Sequence, residues 1–391
     1  MNVLILHQHF NTPEKGGALR SYYLAKALVD HGAKVNVITA HNHKEFKKER
    51  VDGIDVHYLP VPYYNRFGFA ARSWAFLKYV WGAIRLSGQF KDADYCYAMS
   101  VPLTVGLAAQ WIKKKYSIPY IFEVGDLWPD APVQMGFVRN YFSMQFLYAM
   151  ERSIYKSAES IVALSPSIQA AIEKKVPGKK IHVVPNMADC DFYKPEAKKF
   201  ELEEKFNVRG KFVVSYIGAV GLANGLDYFL ECAHTSRKTE LPIHFFVCGD
   251  GALLDRLKGN AKQMGLLNIT FVDFTNRQGV SELLNVTDAA FICYKPVPIL
   301  ETGSPNKYFD GLAAGKLIVI NFGGWIRMEV EENSCGMYVN PHQPTDFVKK
   351  IVPFLSDKRL LAAYQQAARQ LAEQKYSRQL LSKKFQELLF K

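Results

Sequence analysis

A lysine at the start of a helix is electrostatically misplaced unless something negative lies beside it. In "ETGSPNKYFDGLAAGKLIVI", residues 301–320, Lys307 falls in the first turn of a predicted helix, where free N–H groups already carry positive potential. Ser304 is placed to cap that helix, Pro305 suits its first turn, and Asn306 stands between the proline and the lysine. Asp310 follows three residues after Lys307 on the same helix face, where a carboxylate can accept hydrogen bonds from sugar hydroxyls. Free N–H groups, a lysine and a carboxylate together describe a site for a nucleoside diphosphate. The competing reading is a merely solvated helix start.

Two glycine turns belong with that stretch. "YIGAVGLANGL" places Gly218, Gly221 and Gly225 between a strand and a helix, and "VCGDGALLDRL" repeats the arrangement with Gly249 and Gly251 one unit later. Glycine lets backbone approach a phosphate, and a following helix N-terminus offers donors to it. A third pair, Gly16 and Gly17 in "NTPEKGGALR", follows the first apolar run. For each turn the plain alternative is a tight βα connection with no ligand. "IFEVGDLWPDAP" ends a strand on Gly125 and Asp126, so this carboxylate sits on a C-terminal turn, where α/β sheets bind ligands. Glu123 is a second candidate, though strand alternation turns it differently, and the competing reading has Asp126 cap the following turn and Trp128 pack locally.

The elements that must position these residues alternate. "NVLILHQ", "KVNVITA", "IDVHYLPV", "ADYCYAM" and "PYIFEVGD" read as strands, separated by helical stretches such as "ALRSYYLAKALVDHG" and "PLTVGLAAQWIKKKY". After "KIHVVPN" and a polar linker the pattern restarts with "KFVVSYIGAVGLANGLDYFLECA", and residues 356–391 read as helical to the end. The 391 residues suit two domains of about 190 each. The prediction is two Rossmann-like, doubly wound α/β units facing across a cleft: 1–188, a linker 189–210, 211–370, and a C-terminal helix 371–391 returning toward the first.

The motifs in this order resemble the retaining glycosyltransferases of family 4, which have the two-domain GT-B fold. The resemblance rests on the opening "LHQHFNTPEKGGALRSYYLAKALVDHGAKVNVIT", on "VVPNMADCDFYKP", on both glycine turns, on "ITFVDF" and on "SPNKYFDGLAAGKLIVI". "DLWPD" and "SPNKYFDGLAAGK" are similar to a subgroup that builds bacterial capsule and O-antigen units, including amino-sugar transferases of the fucosamine type. The resemblance implies a nucleotide-sugar donor, UDP-linked, on the second domain, and an acceptor on the first. It makes Asp310 the ribose carboxylate that closes the family's E-x7-E element. The element is altered here, because Thr302 stands at its start and Glu301 is one position off. An Arg and a Lys common in the family's first glycine turn are Ala219 and Asn224, which leaves diphosphate neutralisation to Lys307. Phe274 falls where the base is held, and Gly16 and Gly17 fall against the donor's reacting end. Asp126 takes the place of a catalytic-centre polar residue that orients the acceptor hydroxyl or takes its proton, with His9, Glu123 and Trp128 on the acceptor side.

No metal and no other cofactor is expected. Asp189 and Asp191 form a D-x-D, but in a linker, and His7, His9, His41 and His43 lack a completing ligand pattern. The six cysteines are scattered and read as reduced, mostly buried thiols in a cytoplasm. The net charge of +12 divides into +9 for residues 1–180 and +3 for the remainder. With basic residues dispersed and no nucleic-acid motif, nucleic acid is not an expected partner. "YYNRFGFAARSWAFLKYVWGAIRL", residues 63–86, interleaves aromatics with cations and suits an anionic membrane surface, hence a peripheral place on the inner face of the cell membrane. A lipid-diphosphate-linked saccharide acceptor would explain both the charge and this stretch. Three rivals stay open: a GT-B nucleotide-sugar 2-epimerase, a non-catalytic nucleotide-sugar-binding subunit of a polysaccharide-assembly complex, and a transferase acting on a small soluble acceptor.

Overall fold

A computed structural model describes residues 1–64 and 67–390, so Arg66 of the aromatic stretch lies outside the described residues. The chain forms two units, residues 1–185 with 302–304 and the segment from Gln379, and Asn186–Glu301 with Pro305–Arg378.

The first unit is an eight-stranded sheet of β1 (Asn2–Leu6), β2 (Lys34–His41), β3 (Lys47–Val51), β4 (Ile54–Pro60), β5 (Tyr95–Met99), β6 (Tyr120–Val124), β7 (Ser160–Ala163) and β8 (Ile181–Val183). Its order is β3-β4-β2-β1-β5-β6-β7-β8, and only β3 runs antiparallel to its neighbour. β3 is absent from the sequence reading, because "KKERV" has no apolar face. Charge is what an edge strand carries to discourage further pairing. In its hairpin turn Asp52 and Gly53 both take positive φ, 49° and 87°, as a two-residue turn requires.

The second unit is fully parallel: β9 (Phe212–Ile217), β10 (Ile243–Cys248), β11 (Ile269–Val272), β12 (Ala289–Ile292), β13 (Leu317–Ile320) and β14 (Gly336–Tyr338). The order β11-β10-β9-β12-β13-β14 reverses direction between β9 and β12, and there the crevice for a ligand opens beyond the strand ends. Adjacent residues serve opposite faces. Val214 and Phe245 join the core with Phe229, Phe291 and Phe347, while Val213 and Phe246 join a second core with Leu283 and Val286.

The C-terminal run is not one helix. It breaks at a π turn, Ala372–Tyr376, between Lys358–Leu371 and Arg378–Leu389. The last helix belongs to the first unit, with the Phe385 ring 4.8 Å from Tyr97 and Gln386 donating to the Ala27 carbonyl at 2.6 Å. All six cysteines are buried and unpaired. Among the described residues no helix is long and apolar enough to cross a membrane.

Beneath the first unit's β1 turn lies a buried ion pair. Arg20 donates to both Glu123 oxygens at 2.8–3.0 Å and to the carbonyls of Val184 and Pro185, while the Tyr97 hydroxyl donates to Glu123 Oε2. Glu123, expected to face an acceptor, is 1% exposed with its oxygens occupied. Position 123 turns inward where position 126 turns out, so Glu123 is a structural residue. Removing one partner of such a pair strands the other charge. Glu123→Ala should cost about 3–5 kcal/mol, read as an earlier urea midpoint for the first unit.

Candidate functional site

The two glycine turns of the second unit lie backbone against backbone. The Gly218 N–H donates to the Cys248 carbonyl at 2.9 Å, and that of Val220 to the Asp250 carbonyl at 2.9 Å. A Cβ at Gly249 would overlap the Gly218 carbonyl oxygen, and one at Gly251 the Val220 carbonyl. Gly249 and Gly251 are therefore explained by close packing. Asn224 accepts from the Gly221 N–H at 3.1 Å, so its oxygen shapes the turn. The helix after this turn, Asp227–Lys238, carries its own acid at the N-terminus, where Asp227 accepts from Arg256 at 2.6 Å and Asn260 at 3.2 Å. No side chain hydrogen-bonds the N–H groups of that terminus, but the carboxylate in its first turn adds negative charge beside it.

The helix Asn306–Ala313 has no acid in its first turn. Pro305, extended at φ −74° and ψ 131°, is its N-cap, and no side chain caps it. Ser304 is buried and is not the cap, and Asn306 is exposed. The helix is anchored from behind. Tyr308 donates to Glu329 at 2.8 Å, and the same buried carboxylate takes Tyr376 at 2.5–2.6 Å and Lys375. Lys307 reaches forward, its amine 2.7 Å from the Tyr216 hydroxyl and 4.2 Å from that ring's centroid. Burial lowers this amine to about 7, with Cys293 opposing the fall. Asp310 lines the same small cavity with Lys307, Ser215 and Ile217, of about 20 Å³, room for one water molecule. Burial raises its carboxyl to about 7, against the pull of Arg277 and with the push of Asp189.

Two further residues went unnoticed in the sequence. Tyr216 reads as an ordinary apolar strand position, although its polar tip lies two residues before Gly218. Lys295 follows β12 at the direction change of the sheet. Its N–H donates to the Ala223 carbonyl at 2.9 Å, and its Cγ would meet a Cβ on Gly225 at 2.9 Å. Its amine has no hydrogen bond or ion pair among the described residues. Phe274, beyond β11, presents a ring that is 66% exposed.

In the first unit, Gly16 and Gly17 follow β1 with φ of 71° and 83°, a consecutive left-handed pair that side chains disfavour. The helix after them, Arg20–Asp30, has no side-chain cap. Asp126 is exposed at the end of β6 and makes no hydrogen bond or ion pair among the described residues. The protein crowding its other sides pushes its pKa up. The second acid of "DLWPD" contrasts with it, since Asp130 is held by Lys175 and by Tyr148 at 3.1 Å. Trp128 is half-buried. The His9 ring lies tilted 4.7 Å from that of Tyr63, and burial lowers it to about 4, so it is neutral at pH 7. His7 meets Ser21 at 2.8 Å. The D-x-D acids are held by arginines, Asp189 by Arg277 and Arg378, and Asp191 by Arg378 at 2.6 Å.

A profile for the glycosyl transferase 4-like domain matches residues 15–187, and one for glycosyl transferases group 1 matches residues 198–371. Alpha-D-kanosaminyltransferase of Streptomyces kanamyceticus is 20% identical over 239 residues, 58% of this chain and 59% of that protein. A glycosyl transferase of Escherichia coli (strain K12) named for colanic acid biosynthesis, WcaI, is 25% identical over 252 residues, 62% of this chain and 59% of that protein. The chain thus matches about six tenths of the length of these relatives. Among solved structures, Anabaena HepE in complex with UDP-glucose is similar with a TM-score of 0.74 at 16% identity, over 100% of this chain and 99% of that one. That likeness is one of fold, the GT-B arrangement of two Rossmann-like domains. With both domains matched in order along the sequence, the chain belongs to the glycosyltransferases.

Proposed function

We propose that the chain transfers a sugar, with retention, from a UDP-sugar to a hydroxyl of a lipid-diphosphate-linked saccharide in the synthesis of a bacterial surface polysaccharide. The observation that carries this reading is Lys307 with Asp310 on an uncapped helix beside the glycine turn. Similarity to a UDP-glucose-bound structure and to a colanic acid transferase supports the donor and the setting, and an amino sugar suits the likeness to a kanosaminyltransferase.

In this mechanism the uracil stacks on Phe274 and the ribose hydroxyls meet Asp310. Lys307 and the N–H groups of its helix neutralise the diphosphate. The bond from the sugar's anomeric carbon to the diphosphate oxygen breaks, and its electron pair leaves with UDP. The acceptor oxygen bonds to the same face, and its proton passes to Asp126, whose raised pKa makes it a better base. Catalysis is positional and electrostatic, so no covalent enzyme nucleophile is needed.

The lipid-linked acceptor draws on the first unit. Its helix Phe69–Ser87 buries Tyr79, Val80 and Ala83 but leaves Trp74, Leu77 and Trp81 exposed at 60%, 51% and 66%. Lys78 lies 5.5 Å from the Trp74 ring and Arg85 5.7 Å from the Trp81 ring, so cations accompany the aromatics as an anionic lipid surface requires.

Three outcomes test the reading. Asp126→Asn should lower kcat on a polyprenyl-diphosphate saccharide by about 10²-fold or more with UDP affinity unchanged. Undiminished transfer would remove Asp126 from catalysis, and conversion of the UDP-sugar to an epimer without acceptor would overturn the transferase reading. Secondly, a diphosphate beside Lys307 favours its ammonium form and raises its pKa. UDP affinity is then full below about 7 and falls as the pH rises toward the bound value. Calorimetry at pH 8 in buffers of different ionisation enthalpy should show proton uptake, abolished in Lys307→Met. Thirdly, the double variant Trp74→Ala, Trp81→Ala should sediment less with anionic liposomes than the unaltered protein while binding UDP equally well. Equal sedimentation rejects this helix as the lipid contact.

A further inference from the structure

A lysine that must meet a diphosphate has to be held in place before the ligand arrives. Among the described residues, the Lys307 amine has one hydrogen-bond acceptor, the Tyr216 phenol oxygen at 2.7 Å. That phenol in turn donates to the Ala219 carbonyl at 2.6 Å, inside the glycine turn. A single hydroxyl therefore ties the amine to the turn's backbone. The rings of Tyr216 and Tyr294, with centroids 4.2 Å and 5.4 Å away, complete an aromatic seat. Gly218 keeps the passage clear, because a Cβ there would meet Lys307 Cε at 3.1 Å.

The chemistry of this seat is selective. A carboxylate would hold the lysine more firmly but cancel its charge. A neutral phenol and two ring faces hold an ammonium and leave it available to an anion. The titratable groups facing Lys307 are Tyr216 and Tyr294 on β9 and the segment after β12, Cys293 beside Tyr294, and Asp310 on its own helix. The seat also accounts for an oddity of the turn. Positions 219 and 224 carry no cation, and the residue at 219 serves through its carbonyl as the fixed end of the tether.

We propose that Tyr216 is the positioning residue for Lys307, holding its amine at the glycine turn by hydrogen bond and ring face until a nucleoside diphosphate takes it. This rests on the reading of the second unit as the donor site. The test is a double-mutant cycle, with UDP titrated by calorimetry into the full chain and its Tyr216→Phe, Lys307→Met and doubly substituted forms. Tyr216→Phe removes only the hydroxyl, and its thermal midpoint reports whether the fold is kept. UDP binding should weaken about tenfold in Tyr216→Phe, with no further loss when Lys307→Met is already present. The alkaline fall in affinity should move to lower pH in Tyr216→Phe, since the ammonium loses an acceptor, which a general loosening of the strand would not produce. Unchanged UDP binding by Lys307→Met, or none by the unaltered protein, overturns the donor-site reading and this proposal with it. A weakened Lys307→Met beside an unaffected Tyr216→Phe, or equal losses from Tyr216→Phe with and without Lys307, overturns the role of Tyr216 alone.

Discussion

Two stretches of backbone in the second unit approach so closely that no side chain fits between them. Gly249 presses on the Gly218 carbonyl and Gly251 on that of Val220, and hydrogen bonds from Gly218 and Val220 fasten the contact. Two connections that would otherwise be separate surface loops become an extension of the sheet beyond β9 and β10. The placement of the polar groups around Lys307 depends on that rigidity. The Ala219 carbonyl is held where Tyr216 reaches it, Tyr216 is held where Lys307 reaches it, and Asn224 folds back to complete the turn. Preorganisation of this kind allows a cation to act without reorganising at the moment of reaction.

Charge is distributed on a consistent rule in both units. Charges that hold the fold are matched: Arg20 by Glu123, Asp189 by Arg277 and Arg378, and Asp130 by Lys175. Glu329 is surrounded by Tyr308, Tyr376 and Lys375, which steadies the helix that bears Lys307 from its far side. Asp126, Lys295 and Lys307 have no ionic partner among the described residues, and they stand at or beside C-terminal strand turns. In the proposed reading, the partners of these groups are the ligand's own charges and hydroxyls.

Much of this was legible in the primary structure, and for identifiable reasons. Apolar runs of β-branched and aromatic residues marked the parallel strands, because strands covered on both faces need little polar alternation. Glycine and proline punctuated the turns, and the lysine in the first turn of the helix at Asn306 stood out because it opposes the helix dipole. The edge strand Lys47–Val51 was hidden, since its charged sequence has no apolar periodicity and its pairing comes from the Asp52–Gly53 turn and its neighbour β4.

The sequence by itself determined the two sheets, the order of their elements and the short set of polar residues at strand ends, since these follow from local periodicity and turn chemistry. Only the tertiary structure decided what each polar residue does. Glu123 and Asp126 lie three positions apart in one segment, yet one is locked against Arg20 from a distant helix and the other faces solvent. Gly249 was legible as a turn glycine, but that it makes room for Gly218 depends on the turn that ends the preceding strand. Tyr216 reads as core until Lys307, 91 residues away, places an ammonium on its ring. Function at these positions is set by which groups the fold brings within hydrogen-bond reach, and that proximity is not written in the spacing of residues along the chain.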